Sequence, residues 1–250
     1  MNVKRPRLDR RLAVTLYSEV RRLRKSSTFV TDVAKVLPYI KAIADYSRVN
    51  EPDVLRYAVC LQADGKGMTN IYIIEEYTNE KARQTHLKTE VAETFLNLFN
   101  LDKEGQMNGR PSLVIPPATV HVMHWTDSKI EKSGLASVSK PLLIWATVNA
   151  PHMEALENIT PHGAAVVEYA HHHEPGCHFH GNCVPIQESK DGRGFIAAVE
   201  VYENHEAFGA HAQADVLKTL VEKVKVHDSK LDFVALSMVG GFLTREAETA

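Results

Sequence analysis

The sequence predicts an α+β protein made of two copies of one βαββαβ unit, on three observations. The chain has 250 residues, a length that suits two modules of roughly 100–150 residues each. Glu75-x-Tyr77-x-Asn79-x-x-Ala82-x-x-x-His86 recurs as Glu200-x-Tyr202-x-Asn204-x-x-Ala207-x-x-x-His211, at one constant offset of 125 residues. Both copies of this motif also lie at the same point in a succession of strand-like and helix-like runs. Five identities in a window of twelve, at a single offset, mark a repeated supersecondary unit. An upstream match pairs Tyr57-Ala58 with Tyr169-Ala170.

Each element has its own local reason. Leu12–Val20 reads as a strand, Asp32–Tyr46 as a helix and Val54–Leu61 as a second strand. The runs ending in the motif tyrosines, Asn70–Tyr77 and Phe195–Tyr202, alternate with a period of two and read as strands. Asn79 and Asn204 come next, where a helix N-cap belongs, their side chains able to accept from free backbone N–H groups. Beyond each cap apolar residues recur every four positions: Leu87, Val91, Phe95 and Phe99, then Phe208, Ala212, Val216, Leu220 and Val224. That spacing predicts one amphipathic helix per copy. Thr119–Trp125 and Leu231–Val239 close the copies as strands. The second copy opens with a strand over Pro141–Val148, a short helix near Met153–Asn158 and a strand over Ala164–His171.

The order is that of a ferredoxin-like module. The expected division is a basic arm over 1–9, a first module over 10–126, a polar linker over 127–140 and a second module over 141–245. Such a sheet carries helices on one face and leaves the other apolar and bare. Two tandem ferredoxin-like modules packed sheet-to-sheet as an intramolecular α+β barrel would cover both faces.

Composition narrows the function classes. Hydrophobic residues make up 44% and charged residues 24%, an ordinary globular balance. A net charge of −2 creates no field for nucleic acid. The nine Lys/Arg among the first 25 residues are read as a solvated leader. No apolar run approaches a membrane span, and charges interrupt any secretory core. Three cysteines argue against a disulfide framework and make an intracellular, cytoplasmic location the expectation.

The strand–Glu-x-Tyr–Asn–helix run with Ala-x-x-x-His resembles the central signature of antibiotic-biosynthesis-monooxygenase domains, a family of the dimeric α+β barrel superfamily. That resemblance implies chemistry on small aromatic molecules: cofactor-independent oxygenation of anthrone-like polyketides in secondary metabolism, or cyclisation, isomerisation or decarboxylation in the same pocket. It also implies a ligand-cavity role for the helix histidine, His86 or His211. No resident metal or cofactor is expected, the partner is a small aromatic molecule, and assembly into a homo-oligomer stays open.

The histidines lie one residue, about 100° of rotation, off the apolar stripe. From that shoulder a neutral imidazole could take a proton from a phenol or from a C–H beside a carbonyl. The bland reading is a half-buried histidine bonded to a strand end. Tyr169, paired with Tyr57, could donate to an oxyanion or simply fill core. Trp145 and Asn149, four apart on one strand, could stack on and polarise a flat ligand.

The copies differ in one place. Tyr57 to Tyr77 spans 20 positions and Tyr169 to Tyr202 spans 33, which predicts a 13-residue insertion within 171–191. It holds His171, His172, His173, His178, His180, Cys177 and Cys183. A hairpin turn at Glu174–Cys177 would pair His173 with His178 and His171 with His180, four imidazoles on one face that could hold zinc, copper or iron. Against that, the spacing matches no specific zinc motif and Pro175 disfavours a two-residue turn. The expected form is a polar lid over the pocket mouth, with the second module active. The competing function class is a stress or binding protein that keeps the scaffold without turnover.

Overall fold

A computed structural model describes residues 12–18, 33–63, 71–98, 118–186 and 192–245. In chain order the elements are β1 (Leu12–Ser18), α1 (Val33–Asn50), β2 (Val54–Gln62), β3 (Ile71–Tyr77), α2 (Glu80–His86), α3 (Glu90–Leu98) and β4 (Ala118–Glu131). After them come β5 (Leu142–Ala150), α4 (Met153–His173), β6 (Cys177–Pro185), β7 (Gly194–Tyr202), α5 (His205–Gln213), α6 (Asp215–Val226) and β8 (Lys230–Phe242). The expected basic arm lies outside the described residues. Among those described, no helix is long and apolar enough to cross a membrane.

The chain divides into two compact units. One is Met123–Ser237; the other takes the described residues of Arg11–Val122 with those from Met238 onward. In the Met123–Ser237 unit the antiparallel strand order is β8-β5-β7-β6, the ferredoxin-like order, with β4 added beside β6. Helix α4 packs on β5, β6 and β7, α5 packs on β7, and α6 packs against α4 and α5. In the other unit β3 lies between β1 and β2, antiparallel to both, and α1 and α2 pack on this sheet. Its core gathers Val36, Ile40 and Ile43 of α1, Tyr57 and Val59 of β2, and Ile73 and Tyr77 of β3.

The caps form as their sequence predicts. Asn79 Oδ1 accepts from Ala82 N at 3.0 Å and Asn204 Oδ1 from Ala207 N at 2.9 Å, each contributing about 1 kcal/mol to its helix start. The helices beyond these caps differ from expectation, because each predicted amphipathic helix is broken in two. Leu87 ends α2, and the Thr89 hydroxyl turns back to His86 O at 2.8 Å before α3 begins. Ala214, extended at ψ 137°, separates α5 from α6. Uniform four-residue spacing hid both breaks, since each half keeps the apolar pattern.

The larger correction concerns the second copy's early elements. Ala164–His171 is no strand, and the helix near Met153–Asn158 is not short. Both belong to α4, a single helix of 21 residues. Its buried positions Leu156, Ile159, Val166, Val167 and Ala170 follow helical spacing. Pro161 lies inside the helix, where a missing N–H ordinarily argues for an end. The expected histidine hairpin therefore does not exist. His171, His172 and His173 form the exposed last turn of α4, while His178 and His180 lie on β6. Among the described residues no group of three His, Cys, Asp or Glu could hold a metal ion.

With α4 and β6 in place, the correct internal correspondence appears at an offset of 123. Pro38, Ala42, Tyr46, Glu51, Pro52 and Cys60 match Pro161, Ala165, Tyr169, Glu174, Pro175 and Cys183. Tyr169 thus corresponds to Tyr46, and Tyr57 to His180. The 13-residue insertion shrinks to two, because Tyr57 to Tyr77 spans 20 positions and His180 to Tyr202 spans 22. Strand register agrees: Tyr57 faces Glu75 as His180 faces Glu200, and both strands are irregular after their first residue. A cation closes the helix end in each unit. Lys132 Nζ donates to the carbonyls of Ala170 and Glu174 at 2.9 and 2.6 Å. Arg245 donates to the corresponding carbonyls of Ser47, at 2.6 Å, and Glu51.

Candidate ligand cavity and histidine–glutamate array

His211 sits in α5 and is 2% exposed, buried rather than on the shoulder expected for it. The break at Ala214 is the reason. Residues of α5 need not share one face with the stripe of α6, so α5 turns its histidine onto the sheet. Both carboxylate oxygens of Glu174 lie close to its Nδ1, at 3.0 and 2.9 Å. Nδ1–H therefore donates to Glu174, and Nε2 is left for other work. Glu200 Oε2 lies 3.9 Å from that Nε2 and accepts from the Tyr202 hydroxyl at 2.7 Å. The other oxygen of Glu200 lies 3.7 Å from His180 Nε2. His180 Nδ1 is buried and has no hydrogen-bond partner among the described residues.

Burial opposes a charge on His211. The hydrogen bond to Glu174 and the charges of Glu200 and Glu174 outweigh it, and the pKa rises above the ordinary histidine value. In His180 burial wins: its pKa falls, against the pull of Glu200, and the ring is neutral. Burial, then the Glu200 charge, drives the Tyr202 phenol upward, so the hydroxyl stays protonated and donates to Glu200.

Of these groups His180, Glu200 and His211 line a cavity of about 290 Å³. Its walls are otherwise mostly apolar: Ile144, Ala146 and Val148 of β5, Ile159 and Val166 of α4, Leu217 and Leu220 of α6, with Phe208 and Phe233. The two phenylalanine rings pack 5.8 Å apart. The size lies near the lower end of small-molecule sites. Asn182 and Gly163 also line it, and a Cβ on Gly163 would come 3.5 Å from Asn182 Nδ2.

The other unit repeats the array. Glu51 Oε2 lies 2.8 Å from His86 Nδ1, and the Tyr77 hydroxyl donates to Glu75 at 2.6 Å. His86 is also buried, and its pKa is raised: burial opposes protonation, but the Glu51 hydrogen bond and the charges of Glu75 and Glu51 prevail. Several lining positions differ between the units, among them three on α4 and β6. Where the cavity has Gly163, His180 and Asn182, this unit has Ile40, Tyr57 and Val59, all in its packed core.

Of the sequence-predicted site residues, His211 lies at the cavity and His86 in the matching array. Tyr169 stands 36% exposed on α4 with its ring 4.8 Å from His173. Trp145 is buried and Asn149 exposed, at β5 positions that alternate with the cavity-facing Ile144, Ala146 and Val148. Sequence reading missed Glu174, Asn182 and Gly163 as site residues and set His180 in a metal-holding hairpin instead. Their signal was present: Glu51-Pro52 and Glu174-Pro175 share the offset of 123 with Pro38 and Pro161.

No family model and no curated protein matches the chain. Solved structures do. A proposed monooxygenase of Lactobacillus acidophilus NCFM superimposes with a TM-score of 0.62 at 15% identity, covering 94% of this chain and 98% of its own. One from Fusobacterium nucleatum subsp. nucleatum ATCC 25586 gives 0.65 at 14% identity, over 95% and 98%. An anthrone oxidase-like protein gives 0.55 at 12% identity, over 97% and 96%. The likeness is one of fold. This chain has the α+β fold of these monooxygenase-like proteins, with two ferredoxin-like units.

Proposed function

We propose that the Met123–Ser237 unit is a cofactor-independent oxygenase of the antibiotic-biosynthesis-monooxygenase kind, acting on a small aromatic ketone of the anthrone or polyketide class. The observation that carries this reading is the His211 ring, held by Glu174 at Nδ1 and lining an apolar cavity. A methylene flanked by an aromatic ring and a carbonyl gives its proton to Nε2. Glu174 holds the ring in one tautomer and stabilises the imidazolium that forms. The carbanion reduces dioxygen and forms a C–O bond; the resulting hydroperoxide loses water. The balance is CH2 + O2 → C=O + H2O. The apolar wall keeps solvent protons from the carbanion. Duplication with divergence, in which the other unit serves as scaffold, accounts for the recurring array. Three buried free cysteines fit a reducing compartment, and we place the protein in the cytoplasm in secondary metabolism.

The test is oxygen uptake with anthrone. His211→Gln should lower the rate at least about 100-fold, the usual reach of a general base. Wild-type oxidation no faster than in buffer would remove the oxygenase reading. The His86–Glu51–Tyr77–Glu75 array favours a second reading, that the array is a structural brace and the cavity binds without turnover. On that reading His211→Gln loses stability while anthrone stays unreacted in both proteins.

A further inference from the structure

Among the replacements that separate the cavity from the core of the other unit, three bear on one wall: a glycine for an isoleucine, an imidazole for a phenol and an amide for a valine. Gly163 stands for Ile40, His180 for Tyr57 and Asn182 for Val59. Polar side chains buried in a core cost free energy unless they find a partner. Yet His180 Nδ1 has none among the described residues. Thr126 Oγ1 donates at 3.2 Å to the backbone carbonyl of Asn182, a cavity-lining residue that carries a side-chain amide. Gly163 clears the space directly before that amide. A wall that loses an isoleucine, gains an amide and holds an unpartnered imidazole nitrogen is built to meet a ligand there.

We infer that His180 and Asn182, uncovered by Gly163, are the recognition edge of this cavity and select a fused-ring compound bearing a hydroxyl donor. The hydrogen-bond polarity follows from Glu200. Its carboxylate faces His180 Nε2 at 3.7 Å, so the single proton of the neutral ring lies on Nε2 and Nδ1 presents a lone pair. That lone pair accepts from a phenolic or enolic O–H. Asn182, which both donates and accepts, then takes the adjacent ring oxygen. A ligand with the oxygen alkylated leaves Nδ1 orphaned and loses the discrimination that buried polar groups confer. The inference rests on the proposed function in one respect: the substrate enters this cavity.

The experiment compares 1-naphthol, 1-methoxynaphthalene and naphthalene as probes, titrated into the full-length protein by calorimetry. Wild type should bind 1-naphthol about tenfold more tightly than 1-methoxynaphthalene, the reach of one buried hydrogen bond. His180→Phe should abolish that preference while keeping the affinity for naphthalene. Gly163→Ile, which copies the other unit, should weaken all three. Nitrogen NMR of wild type gives a readout independent of any variant's folding: the His180 Nδ1 resonance should move with 1-naphthol and stay with naphthalene. Preference for the hydroxyl that survives in His180→Phe, or a preference for the methoxy probe, overturns the inference while leaving the oxygenase proposal standing. If no probe binds the wild type, the inference falls, and the oxygenase proposal stands or falls on anthrone uptake alone. If anthrone is not oxidised but the hydroxyl preference holds and depends on His180, the oxygenase proposal alone falls.

Discussion

Tyr57 and His180 occupy one register position. Each is the fourth residue of its strand, and each lies opposite the glutamate of its motif, Glu75 or Glu200. In one unit that position belongs to the core, with the Tyr57 ring centroid 5.8 Å from His86. In the other it lines a cavity, with His180 5.8 Å from His211. The same backbone thus supports a filled brace and a hollow site.

His211 acts as a base only when neutral, and its pKa is raised above the ordinary value. Turnover should therefore rise with pH through an ionisation above about 6.5 and then level off. Glu174→Gln removes the main stabiliser of the imidazolium, so the inflection should move to lower pH and the plateau rate should fall. Steady-state rates across about pH 5–9 check both, and an inflection below about 6 in the wild type would contradict the assignment.

The matching array sets a stability window. His86 is raised above its unfolded value, so its contribution is fully present below about pH 6.5 and is lost as pH rises through the folded value. Glu51 is lowered: burial works against its charge, but His86, Ser47 and Arg245 together prevail. Its contribution is present above about pH 4.5 and is lost below it. His86→Gln should thus cost most between these limits, on the order of 1–3 kcal/mol, and less above about pH 8. Urea titrations at about pH 5.5 and about pH 8.5 measure the difference.

Tyr202→Phe leaves the buried Glu200 carboxylate without the hydroxyl that donates to it at 2.7 Å. It should cost about 1–3 kcal/mol of stability. Tyr77→Phe should cost a similar amount through Glu75, whose bond is 2.6 Å. Only the Tyr202 variant should alter turnover, which separates brace from site.

Two glycines test packing in opposite directions. Gly241 has φ +88°, and a Cβ there would overlap the carbonyl oxygen of Tyr57; Gly241→Ala should lose at least about 2 kcal/mol. Gly163 lies inside α4, where a Cβ meets only ordinary contact with Asn182. Gly163→Ala should gain roughly 0.5–1 kcal/mol and raise the melting temperature while narrowing the cavity.

Features that depend on neighbours along the chain were legible before folding. Asn79 and Asn204 announce their helices because a cap bonds three residues ahead, and the alternation before Tyr77 and Tyr202 fixes two strands because side chains there repeat every two residues. The repeated motif was enough to announce two ferredoxin-like units. That Val166, Val167 and Ala170 belong to a helix is settled by packing alone. A short run of β-branched and small residues satisfies either period, and Pro161 argued for a boundary that packing against the sheet overrides. Folding also brought Glu174 to His211, 37 residues away, and set His180 beside Glu200. A cavity is the space that neighbours leave unfilled. Gly163, His180 and Asn182 become a site only when α4 and β6 are folded against one another, because no local pattern records an absence of atoms.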